Sequence, residues 1–142
     1  MRARLVPELI CSNFERSLAF YRDLLGFRIL YARADERFAK LDRDGAELML
    51  EQPTSQDRLW PRAELAYPYG RGINLEFDVD DVDSLHATLT AAGVATFLPL
   101  EERWYRRAAD EIGVRQFAVQ DPDGYLLRLQ QNIGLRPIAG GT

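Results

Sequence analysis

One segment of this chain occurs twice. Residues 38–52 read FAKLDRDGAELMLEQ and residues 117–131 read FAVQDPDGYLLRLQQ, so that 8 of 15 positions are identical at an offset of 79. The identical pairs are Phe38/Phe117, Ala39/Ala118, Asp42/Asp121, Asp44/Asp123, Gly45/Gly124, Leu48/Leu127, Leu50/Leu129 and Gln52/Gln131. The shared D-x-D-G sequence supplies turn residues, with a glycine for a position of positive φ. Each copy therefore predicts a β-hairpin, and the repeat predicts a chain built from two similar modules.

A second match, at an offset of 68, lies upstream of each hairpin. Residues 5–26 and 73–93 each contain a strand-like run, apolar residues at helical spacing and a closing glycine. Asn13 and Asp81 stand where a helix N-cap is expected. Both halves are therefore predicted to run strand, helix, strand, strand, strand.

These patterns predict a single α+β domain. Its predicted parts are a first βαβββ module at 4–52, an inter-module loop at 53–71, a second βαβββ module at 72–131 and a tail at 132–142, within a domain of residues 1–142. The tail is rich in Gly and Pro and is expected to be loose at its end. The inter-module loop is long for a passive connection, and such loops are often functional.

The composition restricts the classes of function. A net charge of −4 disfavours binding to nucleic acid, because neutralising phosphates needs a surplus of Lys and Arg on one face. No stretch approaches the roughly 20 apolar residues of a membrane span, and no signal segment is evident at the N-terminus. The single cysteine, Cys11, is interpreted as a small buried hydrophobe. We therefore expect a cytoplasmic protein that binds neither nucleic acid nor membrane.

Alternation of side chains along the predicted strands separates an apolar face, which must cover the helices, from a polar, concave face. The polar face has an acidic excess. Its charged residues are Glu8, Glu47, Glu51, Glu76, Asp78, Arg4 and Arg128. Two interpretations stay open: the solvated side of an antiparallel sheet, or a ligand groove, which the aromatic residues in nearby loops favour.

Four segments resemble the vicinal-oxygen-chelate superfamily and, within it, the bleomycin-resistance proteins. They are SNFERSLAFYRDLLGF at 12–27, ELMLE at 47–51, FDVDDVD at 77–83 and RQFAVQDPDGYLLRL at 115–129. The resemblance extends over about residues 4–131. It implies the glyoxalase/bleomycin-resistance fold, in which two βαβββ modules form a cupped mixed β-sheet, and it implies a homodimer.

The resemblance also indicates where a metal would bind. Enzymes of the superfamily hold a divalent ion through one residue on each of the first, fourth, fifth and eighth strands, here Val6, Met49, Asn74 and Arg128. The two repeat offsets relate these positions as symmetric pairs. A catalytic metal needs His, carboxylate or similar donors, and the only histidine, His86, falls in the second helix. We therefore expect no metal, no cofactor and no catalytic residue, and a binding protein rather than an enzyme.

Bleomycin-resistance proteins sequester cationic antibiotics at their dimer interface, and the resemblance implies the same function, antibiotic binding and resistance, here. An acidic groove attracts a cation, and aromatic rings add stacking and cation–π attraction. The expected ligand-binding residues are Phe38, Glu47, Met49, Glu51, Trp60, Asn74, Glu76, Trp104, Tyr105 and Arg128. Drug-binding relatives carry a tryptophan just before the seventh strand, where this chain has Gly113 and Val114. Trp104 or Tyr105 is the candidate replacement for that ring.

Arg128 supports an alternative function. An arginine at a former metal position pairs with an anionic ligand, so a metal-independent enzyme or a binder of anionic small molecules is the second hypothesis. The competing interpretation is that Arg128 forms a local ion pair with Glu47, Glu51 or Glu76. A third hypothesis is a purely structural dimeric domain.

Overall fold

A computed structural model describes residues 3–54, 60–61 and 64–138. The chain divides into two compact units. The first comprises Met1–Arg71 with Asp121–Tyr125, and the second comprises Gly72–Gln120 with Leu126–Thr142. Within the described ranges, no helix has the length and apolar character needed to cross a membrane.

The first unit contains a four-stranded mixed sheet. Its elements are β1 (Glu8–Ile10), α1 (Phe14–Ala19) with a π-helical continuation (Phe20–Leu24), β2 (Arg28–Arg33), a 3₁₀ turn (Ala34–Glu36), β3 (Phe38–Arg43) and β4 (Ala46–Glu51). The strand order is β1-β4-β3-β2, in which β1 is parallel to β4 and the other neighbours are antiparallel.

The second unit repeats this arrangement. Its elements are β5 (Asn74–Asp78), α2 (Val82–Ala91), β6 (Thr96–Arg107), β7 (Asp110–Gln120) and β8 (Leu126–Pro137). The strand order is β5-β8-β7-β6, with β5 parallel to β8. The predicted order of one helix and four strands is therefore confirmed twice, and with it the α+β fold class of two βαβββ modules. Each module forms a sheet of its own.

The predicted helix N-caps are confirmed. The Asn13 side chain accepts a hydrogen bond from the Arg16 N–H at 3.0 Å, and Asp81 accepts one from the Ser84 N–H at 3.0 Å. These bonds satisfy backbone donors that have no partner within the helix.

A repeated glutamine supports each helix start as well. The Gln52 side-chain oxygen accepts from the Phe14 N–H at 2.8 Å, and the Gln131 oxygen accepts from the Val82 N–H at 3.0 Å. Gln52 and Gln131 are the last identical pair of the sequence repeat. Their identity therefore has a structural cause, because each glutamine side chain hydrogen-bonds the first helical residue of its own unit.

The apolar side of each sheet packs against its helix and forms the core. Leu41, Leu48 and Leu50 are fully buried in the first sheet, as are Leu127 and Leu129 in the second. Burying a leucine side chain contributes about 1.5–3 kcal/mol, so this face determines the register. Cys11 is buried as expected.

The two hairpins differ in register, although their sequences repeat. In the first, Arg43 pairs with Ala46 across a tight turn. In the second, Gln120 pairs with Leu126, and residues 121–125 form the connection. Compared with the sequence alignment, β7 is therefore displaced by one residue relative to β8.

A displacement of one residue exchanges the two faces of a strand. Phe38 pairs with Glu51 and lies on the polar side of its sheet. Its repeat equivalent, Phe117, pairs with Leu129 on the helix side, where its ring centroid is 5.0 Å from that of His86 in α2. Identical residues of the repeat thus have different environments.

Strand β8 extends beyond the predicted module. The prediction ended the module at residue 131 and assigned 132–142 to a tail, whereas β8 continues to Pro137, which pairs with Asp110 at the start of β7. The physical reason is that β7 also begins earlier than predicted, at Asp110, and supplies hydrogen-bonding partners for the extension.

Asp121 forms a buried polar cluster in the first unit. Its carboxylate accepts hydrogen bonds from the Tyr21 hydroxyl at 2.7 Å, the Asp123 N–H at 2.8 Å and the Tyr125 N–H at 3.1 Å. Burial raises the pKa of Asp121 to about 6, although these donors favour the ionised form. Burial also raises the pKa of Tyr21 well above its usual value.

We predict that Asp121 makes stability decrease with rising pH. Because its folded-state pKa, about 6, lies above the unfolded value, its contribution is complete below about pH 4 and is lost as the pH rises through 6, a change of about 3 kcal/mol. Urea unfolding at pH 4, 5, 6 and 7 should show this slope in the wild type and not in Asp121→Asn. Tyr21→Phe, which removes one opposing donor, should move the transition to higher pH. An unchanged slope in Asp121→Asn would contradict the assignment.

Candidate ligand-binding faces

Each sheet has a side opposite its helix that carries most of the predicted site residues. The first polar face consists of Glu8, Ile10, Tyr31, Arg33, Phe38, Lys40, Asp42, Glu47, Met49 and Glu51. The second polar face consists of Asn74, Glu76, Asp78, Leu98, Glu101, Arg103, Tyr105, Val114, Gln116, Ala118, Gln120, Leu126, Arg128 and Gln130.

A buried ion pair occupies the first polar face. Lys40 Nζ lies 3.1 Å from Glu47 Oε1, and the two side chains are 4% and 6% exposed. The Ala3 N–H donates to Glu47 Oε2 at 2.8 Å. These two donors, first the Ala3 N–H and then Lys40, lower the pKa of Glu47. Glu47 was predicted to attract a cationic ligand into the groove, but its charge is already paired with Lys40 within the protein.

Lys40 is a residue of this face that the sequence prediction missed. The predicted polar face was assigned on β1, β4, β5 and β8, and β3 was left out. Alternation from Phe38, which was predicted as a site residue, places Lys40 and Asp42 on the same side. That signal was present in the sequence, but the pairing of Lys40 with Glu47 requires the β3–β4 register.

The aromatic part of the first polar face differs from the predicted one. Phe38 is buried, with the Arg33 guanidinium 4.1 Å from its ring centroid and the Tyr31 ring 6.0 Å away. Tyr31 is exposed and Phe38 is not. Tyr31 is therefore the exposed aromatic ring of this face, whereas the Phe38 ring is buried next to it.

Met49 lies in the middle of the first polar face. It pairs with Glu8 on one side and with Lys40 on the other. Glu8 is exposed and Glu51 half-buried, while Val6 precedes β1. Neither metal-position residue of this unit, Val6 or Met49, provides the hard oxygen or nitrogen donor that a catalytic divalent ion needs.

The second polar face combines carboxylates with amides. Glu76 pairs with Arg128 in the strand register, and Asn74 pairs with Leu126 at the start of β5. Asp78 Oδ1 accepts a hydrogen bond from Gln130 Nε2 at 2.8 Å. Asn74, Glu76 and Asp78 are all exposed, so this edge retains the predicted acidic character.

Arg128 has no protein partner within the described ranges. Its Nε atom is buried and makes no hydrogen bond, and none of the ion pairs among the described residues joins it to Glu76, its register partner. The local ion pair with Glu76 considered from the sequence is therefore not formed.

Gln116 is the second polar residue of this face that prediction missed. It is 1% exposed. Its Nε2 donates to Glu101 Oε1 at 3.1 Å and to the Tyr105 hydroxyl at 2.7 Å, while its Oε1 is buried without a partner among the described residues. The sequence repeat gave no signal for it, because the one-residue displacement of β7 brings Gln116, rather than Phe117, to the polar side.

Trp104 and Tyr105, both predicted for the groove, lie on opposite sides of the second sheet. Tyr105 is on the second polar face, where its hydroxyl accepts a hydrogen bond from Gln116. Trp104 pairs with Gly113 on the helix side, and the Arg136 guanidinium lies 4.2 Å from its ring. A Cβ atom at Gly113 would come within 2.7 Å of the Trp104 ring. Gly113 and Val114 lie within β7 rather than before it, and the Trp104 ring packs over Gly113.

Trp60 lies outside the strands that form the two polar faces. It lies in the segment between β4 and β5 and is 77% exposed. The predicted set therefore divides into groups. Met49, Glu47, Glu51 and Phe38 share the first polar face; Asn74, Glu76, Tyr105 and Arg128 share the second; Trp60 and Trp104 lie apart from both.

The residues present do not fit a metal ion. The second unit has Asn74 and Arg128 at its two metal positions, and a guanidinium repels a cation. Among residues 3–54, 60–61 and 64–138, no group of three or more His, Cys, Asp or Glu side chains is placed to hold a metal. His86 packs against Phe117 on the helix side.

Comparisons with known proteins agree with the fold and the repeat. The model of the Glyoxalase/Bleomycin resistance protein/Dioxygenase superfamily matches residues 5–129. The chain belongs to this superfamily. None of the curated proteins matches it.

Two of the solved structures that match this chain share its fold. TioX from Micromonospora sp. ML1 is 23% identical, with 96% of this chain and 100% of that chain covered and a TM-score of 0.68. A protein of unknown function from Agrobacterium tumefaciens str. C58 is 26% identical, with 92% and 94% covered and a TM-score of 0.64. A glyoxalase/bleomycin resistance protein/dioxygenase superfamily member from Vibrio splendidus 12B01 is 38% identical over 92% and 98%, with a TM-score of 0.41.

We predict that the protein does not acquire a divalent ion. Elemental analysis after purification without a chelator should find no stoichiometric metal, and excess Ni²⁺, Mn²⁺ or Zn²⁺ should leave Tm unchanged, because a bound ion would stabilise the folded state. One ion per chain, or a Tm that saturates with metal concentration, would contradict the assignment.

Proposed function

We propose that this chain is a metal-independent small-molecule-binding protein of the bleomycin-resistance type. The observation that carries the proposal is the identity of the four superfamily metal positions, Val6, Met49, Asn74 and Arg128. Two of these residues lie at the centre of a polar sheet face that also carries exposed charges. Such a face retains the means to hold a ligand and lacks the ion that the superfamily's metal enzymes use.

The first ligand class is a cationic antibiotic, sequestered in the cytoplasm by a homodimer. Glu8, Glu76 and Asp78 are exposed carboxylates that attract a cation over distance. Tyr31 and Tyr105 are exposed rings on the same faces, and a ring adjacent to a bound cation contributes about 0.5–2 kcal/mol. Since Lys40 matches Glu47, the acidic attraction is expected to come mainly from the strand β1 and β5 carboxylates.

A titration with bleomycin tests this class. Isothermal titration calorimetry should show saturable binding with about one site per chain in the wild type. Glu76→Gln should weaken affinity about three- to tenfold at low ionic strength, and less at high salt. Glu15→Gln, which removes an exposed carboxylate on α1, is the charge-matched control and should bind as the wild type does. Absence of any signal at high micromolar drug would reject this ligand class.

The second ligand class is an anionic small molecule held by Arg128. The specific observation is that Arg128 lacks a partner within the described part of the chain, with its Nε buried. An arginine in this state gains a charge-assisted hydrogen bond when a carboxylate or phosphate arrives.

A thermal-shift screen of carboxylates and phosphates tests this class. Ligands that raise the Tm of the wild type should have no effect on Arg128→Ala, and Arg128→Lys should retain only part of the shift because lysine lacks the planar fork. Arg115→Ala, which breaks the exposed ion pair with Asp83, serves as the control. Equal stabilisation of Arg128→Ala and the wild type would exclude a role for Arg128.

A further inference from the structure

Two buried polar atoms on the second polar face have no partner among the described residues, and they are chemically complementary. Arg128 Nε is a hydrogen-bond donor, and Gln116 Oε1 is an acceptor. Buried polar groups are nearly always paired in folded proteins, and each exception calls for an explanation. Two exceptions of opposite type on one face indicate a ligand that satisfies both.

The strand register places these side chains as neighbours. Gln116 pairs directly with Gln130, and Arg128 is two residues before Gln130 on the same side of β8. Gln116 and Arg128 are therefore diagonal neighbours on adjacent strands, which are typically about 7–8 Å apart. A small polar group that reaches this part of the face would therefore meet both side chains.

The orientation of the Gln116 amide is determined by its surroundings. Both hydrogens of Nε2 have acceptors, Glu101 Oε1 at 3.1 Å and the Tyr105 hydroxyl at 2.7 Å. Rotating the amide by half a turn would direct its oxygen at the Glu101 carboxylate, two acceptors facing each other. The oxygen is therefore the end presented to a ligand.

We infer that the second polar face binds a carboxamide, through its carbonyl on the Arg128 Nε–H and its N–H on Gln116 Oε1. This inference rests on the proposed ligand-binding function and specifies which chemical group of the ligand the protein recognises. An amide presents an acceptor and a donor side by side, so it satisfies both atoms at once. A carboxylate satisfies Arg128 but leaves the Gln116 oxygen opposite another acceptor. An ammonium group satisfies Gln116 and is repelled by Arg128.

The test uses four small probes on one ring: benzamide, N,N-dimethylbenzamide, benzoate and benzylamine. Binding to the wild-type protein is measured from the ¹H–¹⁵N signal of the Arg128 side chain, assigned by its loss in Arg128→Lys. Benzamide should shift this signal saturably. It should bind about tenfold more tightly than N,N-dimethylbenzamide, which keeps the carbonyl but has no N–H, since one unmade hydrogen bond to a buried acceptor has about this effect. Benzoate and benzylamine should also bind more weakly than benzamide.

Variants give an independent check. Gln116→Leu should abolish the preference for benzamide over N,N-dimethylbenzamide, whereas Gln130→Leu, on the same face and bonded to Asp78, should retain it. Circular dichroism establishes that both variants are folded; if Gln116→Leu is not, the probe series on the wild type decides alone.

Several outcomes would overturn the inference. Equal affinity for the two amides would show that Gln116 does not contact the ligand. Tighter binding of benzoate than of benzamide would indicate a simple anion site. Tighter binding of benzylamine than of benzamide would indicate a cation site. If no probe binds while bleomycin titrates saturably, the carboxamide inference fails and the proposed function stands. If neither bleomycin nor any probe binds, both fail.

Discussion

Strands β4 and β8 each lie between a parallel and an antiparallel neighbour, and this double pairing governs the rest of each sheet. Hydrogen bonds on both edges prevent the strand from shifting, and the buried leucines of its helix side determine which residues face away. Met49 and Arg128 follow as the central residues of the two polar faces.

The two polar faces stabilise their buried polar groups in different ways. In the first, the charges of Lys40 and Glu47 are paired. Burying two ions costs the free energy of removing their water, and close pairing compensates for that cost. In the second, Gln116 is held by Glu101 and Tyr105, but Arg128 has no counterpart in the described structure. The first face therefore pairs its buried Lys40 and Glu47 charges within the chain, whereas the second has two buried polar atoms without a partner among the described residues.

Loss of metal ligands need not leave a face without function. The guanidinium of Arg128 is a hydrogen-bond donor that suits an oxygen acceptor and repels a metal ion. Nearby carboxylates on β5 remain exposed. The second polar face thus carries both signs of charge within one strand pair, which suits ligands that combine a carbonyl or anionic group with a cationic one.

The sequence by itself determined the element order, the helix caps and the faces of β4 and β8, because these depend on local turn and cap chemistry and on the period of two along one strand. Only the tertiary structure decided the face of β7. There the five-residue connection displaces the register by one, so Gln116 reaches the polar side and the repeated Phe117 does not. The tertiary structure also decided three other features: the Lys40–Glu47 pair, the separation of Trp104 from Tyr105, and the unpartnered Nε atom of Arg128. The physical reason is that each depends on how separate strands are aligned, and a single residue of displacement reverses every side chain on a strand.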